Sequence, residues 1–302
     1  MKISIIGAGR VGSTTAFMLM NEGLADEIVL IDVEKERAEG EALDLLHSTA
    51  AMRRRVKVTG GDDYALTKES DLVILTAGLP RKMGETRLDL AKKNAEIVLS
   101  CLAKLKEQKP KGLLMVTNPV DSMTYIAVKE MGDAKKVFGL GTTLDSIRYK
   151  SLVAGAFKVS VDSLDLFILG EHGDTMFPYL SHASADGITL AKFPNYKSNK
   201  LTELFDQVIT GGIEVIKRKG GTVFAPSLAI VAVVESMVHD RRRVLPVSVY
   251  DPTKDVCVSV PSVVSKDGAT PIAIDLDETE QTKMQASIDV IRHTIEACYP
   301  LR

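Results

Sequence analysis

The hexapeptide Gly7-Ala8-Gly9-Arg10-Val11-Gly12 constrains this chain more than any other feature, because of what stands on either side of it. An apolar run, Lys2 to Ile6, precedes it, and the stretch Arg10 to Asn21 that follows has helical apolar spacing. A second apolar run, Glu27 to Ile31, ends on Asp32, 20 residues after Gly12. Strand, glycine turn, helix and strand in that order make a β-α-β unit. In such a turn the first glycine permits the sharp reversal, the second lets a pyrophosphate approach the backbone, and the third lets helix and strand pack closely. The unpaired N–H groups of the helix start then face the phosphates. A carboxylate at Asp32 can accept both hydroxyls of an adenosine ribose and repels the extra phosphate of NADP, a repulsion to which Glu34 adds. The expected ligand is therefore NAD, cradled by Gly7, Gly9, Arg10, Val11, Gly12 and Asp32.

Further apolar runs at Leu72 to Leu75, Leu113 to Val116 and Val137 to Leu140 alternate with helical stretches at Leu88 to Gln108 and Asp121 to Met131. That alternation belongs to a doubly wound parallel sheet of Rossmann type. Beyond Thr142 the pattern changes. A helix from Leu144 to Phe157 and a short strand from Leu164 to Leu169 precede a long amphipathic helix with Leu201, Leu204, Phe205 and Val208 on one face. A helix near Pro226 to His239, hairpin strands at Val244 to Tyr250 and Asp255 to Val260, and a closing helix that aligns Met284, Ile288, Ile291 and Ile295 complete the chain. The expected fold is α/β, with a dinucleotide-binding domain at residues 1–142 and an α+β substrate domain at 143–302. The boundary must be tight, since no linker, repeat or low-complexity segment intervenes.

Thirty-eight basic and 40 acidic residues leave a net charge of −2, so no overall field draws the molecule to nucleic acid or to an anionic membrane. No apolar stretch approaches the roughly 20 residues of a membrane helix, and the first strand-like run is too short for the core of a signal peptide. A cytoplasmic protein is expected. Cys101, Cys257 and Cys298 are scattered and read as reduced core thiols. His47, His182, His239 and His293 lack ligand spacing, so no metal site is expected.

Candidate chemistry lies in three segments. His172, in Gly170-Glu171-His172-Gly173-Asp174, follows a strand and is flanked by glycines that let its side chain protrude. Asp145 and Arg148, in Leu144-Asp145-Ser146-Ile147-Arg148, are three apart on one helical face and can point into one pocket. Ala77 to Arg87 is a basic loop with glycine and proline after a sheet strand, suited to a mobile lid.

With these segments in hand, the chain resembles the malate and lactate dehydrogenase family along essentially its whole length. The glycine turn, Asp32, the lid ending in Arg87, Thr117-Asn118-Pro119, the Asp145 and Arg148 segment and the His172 segment fall in the family's order and spacing. The resemblance implies that His172, oriented by Asp145, donates a proton to a ketone oxygen and takes it back in reverse. It implies that Arg148 clamps the substrate carboxylate with a two-pronged hydrogen bond, that Arg87 stabilises charge on the carbonyl oxygen, and that Asn118 hydrogen-bonds the same oxygen. Asn94 and Thr117 are carried over as cofactor contacts.

The family distinguishes substrates largely six residues before Arg87, at Arg81 here. An arginine suits a second carboxylate, whereas lactate enzymes usually carry glutamine. A dicarboxylate, malate or oxaloacetate, is thus the expected substrate, and L-lactate dehydrogenase is the alternative. Met83 and Glu85 depart from the malate pattern, and Gly84-Glu85-Thr86-Arg87 is more similar to the lactate branch. The overall resemblance is strongest to the lactate-dehydrogenase-like malate dehydrogenases, which implies a homodimer or homotetramer. A non-catalytic NAD-binding redox sensor is the remote alternative, and it leaves His172, Asp145, Arg148 and Arg87 without a reason to occur together.

Overall fold

The computed structural model describes residues 1–80, 86–194, 196–197 and 199–299. Its frame is a nine-stranded sheet. Six strands form the parallel part: β1 (Lys2–Ile6), β2 (Glu27–Ile31), β3 (Lys57–Gly61), β4 (Leu72–Leu75), β5 (Leu113–Met115) and β6 (Val137–Gly139). Their spatial order is 3-2-1-4-5-6. The helices between them are α1 (Arg10–Glu22), α2 (Lys35–Met52), α3 (Arg87–Gln108) and α4 (Val120–Met131). Alternate strand residues enter two different cores. Ile3, Ile5, Ile28, Leu30, Leu72 and Ile74 face one layer, while Ile6, Val29, Ile31, Val73 and Leu75 face the other. Burial on both faces explains why these strands read as continuous apolar runs.

The second half opens with α5 (Thr143–Phe157). The strand expected at Leu164 to Leu169 is interrupted. It forms β7 (Leu164–Asp165) and β8 (Ile168–Leu169), which belong to different small sheets, β8 with β9 (Phe177–Pro178) and β7 with β10 (Ser184–Ala185) and β11 (Ile188–Thr189). Helix α6 (Lys200–Lys219) packs Leu201, Leu204 and Val208 with Tyr149, Val153 and Phe157 of α5 into a third core. Helix α7 (Phe224–Val238) follows, then β12 (Arg243–Asp251), β13 (Val256–Ser265), β14 (Gly268–Pro271) and α8 (Glu278–Cys298).

The hairpin is longer than its apolar pattern indicated, and it does not form a sheet of its own. Strand β12 pairs antiparallel with β6 at Ser248 and Gly139, so the main sheet continues past residue 142 into the second half. Helices α1, α2 and α7 cover one face of this sheet, and α3, α4 and α8 cover the other. Helix α8 begins at a capping box in which Asp277 accepts the Glu280 N–H and Glu280 accepts the Asp277 N–H. Among the described residues, no helix is long and apolar enough to cross a membrane.

Candidate active site

The C-terminal ends of β1, β2, β4 and β5 meet along one edge, where an open α/β sheet places its ligands. The three glycines at the end of β1 have three separate reasons to lack a side chain. Gly7 has φ of 105°, and a Cβ there would lie 2.8 Å from the Ala77 nitrogen. At Gly12 a Cβ would lie 1.9 Å from the Gly7 carbonyl oxygen. Gly9 has nothing within 4 Å of that position, so its surface is open to an approaching group. The first intrahelical bond of α1 joins the Ser13 N–H to the Gly9 carbonyl at 2.9 Å. Gly9 offers no capping side chain, and the first turn contains no acid. The N–H groups ahead of that bond therefore form a positive end suited to a pyrophosphate.

Asp32 braces this turn as well as facing it. Its Oδ2 accepts the Ala8 N–H at 2.7 Å and its Oδ1 accepts the Glu34 N–H at 3.1 Å. A carboxylate has about four acceptor directions, so capacity remains for ribose hydroxyls. Arg10 turns away from the turn to donate to the Lys219 carbonyl at 3.2 Å, which ties α1 to the end of α6. Ser227 of α7 donates to the Val11 carbonyl at 3.3 Å.

His172 lies beyond β8, in a loop that leaves the strand at Gly170 with φ of 92°. Its Nδ1 is 2.5 Å from Asp145 Oδ2. An ionised carboxylate can only accept, so Nδ1 bears the proton and Nε2 is the nitrogen left for chemistry. Arg148 lies one helical turn beyond Asp145 and donates to its other oxygen at 3.4 Å. Asp145 is almost wholly buried, while His172 and Arg148 keep 23% and 22% of their side-chain surface exposed. The ends that can act thus open to the cleft and the shared anion does not.

Burial disfavours the charged imidazole, but the Asp145 carboxylate outweighs it by charge and hydrogen bond, with Asp121 adding to the effect, so His172 titrates above its ordinary value. Burial likewise opposes ionisation of Asp145. The His172 charge and hydrogen bond, followed by Arg148, overcome it and hold Asp145 below the usual range.

Two residues expected to touch the cofactor have their side chains engaged elsewhere. Asn94 is 1% exposed; its Oδ1 accepts the Leu79 N–H at 2.8 Å, and its Nδ2 donates to the Asn118 carbonyl at 2.7 Å and to the Leu79 carbonyl at 3.3 Å. The Thr117 hydroxyl donates to the Ala77 carbonyl at 2.7 Å and to Leu75 at 3.2 Å. Both side chains brace the loops after β4 and β5. Family carry-over named these positions but could not tell a brace from a contact. Asn118 itself is exposed at the end of β5. Arg81 lies outside the described residues, as does the side chain of Arg87, whose backbone opens α3.

Two polar neighbours of the site were not foreseen. The Thr222 hydroxyl lies 3.5 Å from the Arg148 guanidinium, three residues beyond the Lys219 carbonyl that holds Arg10. The end of α6 and the loop after it thereby reach both Arg10 and Arg148. Asp121 of α4 accepts the His172 backbone N–H at 2.7 Å. The pairing of His172 with Asp121 spans 51 residues and that of Arg148 with Thr222 spans 74, and no local pattern marks either one.

A parallel sheet of this order, a glycine turn with an uncapped helix start, and a terminal acid on β2 define a Rossmann domain joined to a C-terminal α/β domain. NAD is its cofactor. Residues 1–139 match the family described as lactate/malate dehydrogenase, NAD binding domain, and residues 142–300 match lactate/malate dehydrogenase, alpha/beta C-terminal domain. The chain belongs to this family of NAD-dependent 2-hydroxycarboxylate dehydrogenases. It is 40% identical to L-2-hydroxycarboxylate dehydrogenase (NAD(P)(+)) of Methanocaldococcus jannaschii, over 98% of each chain. It is 37% identical to L-lactate dehydrogenase 2 of Bacillus cereus, over 97% of each. Its fold matches malate dehydrogenase from Archaeoglobus fulgidus in complex with NADH with a TM-score of 0.88, at 39% identity over 99% of each chain.

Proposed function

We propose that this protein interconverts malate and oxaloacetate, with residues 1–142 holding the dinucleotide and 143–302 shaping the substrate side of the cleft. The observation that carries the chemistry is the sharing of Asp145 between His172 and Arg148. Bound NADH supplies a hydride to the substrate carbonyl carbon. The residues of the chain do the rest. Arg148 holds the C1 carboxylate through its planar fork and fixes which carbonyl face is presented. Nε2 of the His172 imidazolium gives a proton to the carbonyl oxygen as that oxygen becomes a hydroxyl, and Asp145 stabilises the cation beforehand. Asn118 hydrogen-bonds the same oxygen. Arg87 stabilises the charge developing on it. In the reverse direction, neutral His172 accepts the hydroxyl proton.

Arg81 supports malate over lactate, because a guanidinium at the lid position six residues before Arg87 pairs with a second carboxylate. L-Lactate dehydrogenase is the second reading, favoured by Gly84-Glu85-Thr86-Arg87. Steady-state kinetics with oxaloacetate and pyruvate at fixed NADH separate the two, and NADPH in place of NADH tests the role given to Asp32. Arg81→Gln should weaken transition-state binding of oxaloacetate by about 2–5 kcal/mol, as expected when a desolvated charge loses its partner. An equal loss on pyruvate would show that Arg81 does not read the distal carboxylate.

The reading includes a homo-oligomer. Phe17 of α1, Leu43 and Leu46 of α2, and Phe224 and Leu228 of α7 are exposed on helices that cover the same side of the sheet. An apolar face of that kind suits a second copy of the chain. Sedimentation velocity tests it, and a monomer at micromolar concentration would remove this part of the proposal.

A further inference from the structure

Asp121 occupies the first turn of α4, three residues after Asn118, and is 2% exposed. The mechanism above gives it no task, yet three donors converge on it from three elements. Its Oδ2 accepts the His172 backbone N–H at 2.7 Å. Its Oδ1 accepts the Ser248 hydroxyl of β12 at 2.6 Å and the Ser259 hydroxyl of β13 at 3.3 Å. Burial raises its carboxyl to about 6, although the Ser248 hydroxyl and the His172 N–H pull the other way. Ionised in so dry a place, the acid opposes folding, so its presence calls for a specific task.

The loop carrying His172 needs a second anchor. Gly170 is fixed to β13, its N–H and carbonyl both bonded to Ser259 at 3.0 Å. Beyond it, Glu171 accepts the Gly173 N–H and the Thr175 N–H and hydroxyl, bonds internal to the loop, whereas the bond from the His172 N–H to Asp121 ties the loop to α4. Resting on the reading of His172 as the proton donor, we propose that Asp121 is a positioning residue: it fixes the peptide that carries the imidazole, as Asp145 fixes the ring, so that Nε2 is held in register with Asn118. One turn at the start of α4 then locates both groups that face the carbonyl oxygen, Asn118 directly and His172 through its backbone. Above about pH 6 the ionised form accepts all three bonds, and the helix N-terminus offsets part of the burial that opposes it.

The test uses the full chain and compares Asp121→Ala with Asp121→Asn. Asparagine can still accept the His172 N–H through Oδ1, while its Nδ2 donates to Ser248, whose hydroxyl can turn to accept. Alanine removes the acceptor. Three quantities are read: kcat and KM for oxaloacetate and pyruvate, NADH affinity by fluorescence, and the downfield proton NMR signal of the His172 Nδ1–H in the cofactor-free protein. For Asp121→Ala, kcat should fall at least about tenfold, the effect of a misplaced reacting group, with KM and NADH affinity within about threefold. The downfield signal should broaden or vanish. Asp121→Asn should restore the signal and recover most of kcat.

An Asp121→Ala protein with the wild-type kcat and signal overturns the proposal. So does a loss of NADH affinity as large as the loss of kcat in both variants, which would make Asp121 merely structural. Where Asp121→Ala does not fold, Ser248→Ala loosens the same anchor without touching His172, and wild-type kcat and signal in that variant also overturn it. Wild-type protein that binds NADH and shows the downfield signal, yet reduces no 2-keto acid, defeats the reading of His172 instead.

Discussion

Asp145 and His172, 27 residues apart in sequence, lie 2.5 Å apart at the mouth of the cleft, and the same carboxylate holds Arg148 at 3.4 Å on its other oxygen. One buried anion thus sets the tautomer and charge of the His172 imidazole and the orientation of the Arg148 guanidinium. The two functions cannot be adjusted separately by changing Asp145.

That coupling fixes the pH dependence. Because His172 titrates above its ordinary value, reduction of a keto acid, which needs the imidazolium, should persist past pH 6.5 and fall as pH rises through the folded value. Oxidation of the hydroxy acid should rise over the same range. In Asp145→Asn the burial penalty is no longer offset, so the reduction limb should move to lower pH. kcat should fall by about 100-fold or more, since an amide can hold the wrong tautomer. Profiles of kcat/KM for both directions are the measurement, and a reduction limb that does not move in the variant would refute the pairing.

Arg148→Lys keeps the charge but not the fork. The ammonium cannot present two parallel N–H bonds to a carboxylate, nor reach Thr222 and Asp145 with the same geometry. kcat/KM for the keto acid should drop by roughly 100-fold, the scale of about 3 kcal/mol for a lost charged partner, while NADH affinity stays the same. Stopped-flow NADH binding beside steady-state kinetics would separate the two, and a parallel loss of NADH affinity would place Arg148 in the cofactor pocket instead.

Gly12→Ala should abolish tight NADH binding. The added methyl would meet the Gly7 carbonyl at 1.9 Å, and that atom is backbone, so the turn itself must shift. Calorimetric titration with NADH measures this. Gly9→Ala, with open space around its Cβ position, should leave the unliganded fold intact and weaken only the liganded state. Unchanged affinity in Gly12→Ala would mean that the turn does not carry the pyrophosphate.

The parallel half of the sheet was legible because β1, β2 and β4 are buried on both faces and therefore predominantly apolar. Helix α2 and strand β3 were not. The core face of α2 is only Ala38, Ala42 and Leu45 in a strongly charged segment, and β3 reads Lys-Val-Thr-Gly-Gly, whose glycines suggest a turn. The junction of the hairpin with the main sheet depends on a single pair, Ser248 with Gly139, which no local pattern encodes. In the site, Asp145 and Arg148 were visible through their helical spacing and His172 through its flanking glycines. Asp121 and Thr222 were hidden because their roles come from long-range contacts. Asn94 and Thr117 show the converse limit, since a motif specifies that a polar residue is needed but not whether it faces the ligand or the loop behind it.

Asp121 offers a test of stability as well as of activity. Its folded value of about 6 lies above the ordinary 3.8, so the fold favours the protonated acid. The stability this confers is complete below 3.8 and is lost as pH rises through about 6. At pH 7 and above the ionised group therefore opposes folding, by about 3 kcal/mol for a shift of this size. Asp121→Asn cannot ionise, so its unfolding free energy relative to the wild type should increase between pH 4 and pH 7.5 by about 2–3 kcal/mol, on top of a constant offset from its altered hydrogen bonds. Urea denaturation at pH 4, 5.5 and 7.5 gives the difference directly, and a difference that does not vary with pH would show that Asp121 titrates as an ordinary carboxylate. Asp121→Asn should gain this stability at neutral pH while keeping most of its kcat, because its Oδ1 still accepts the His172 N–H and only the charge is lost.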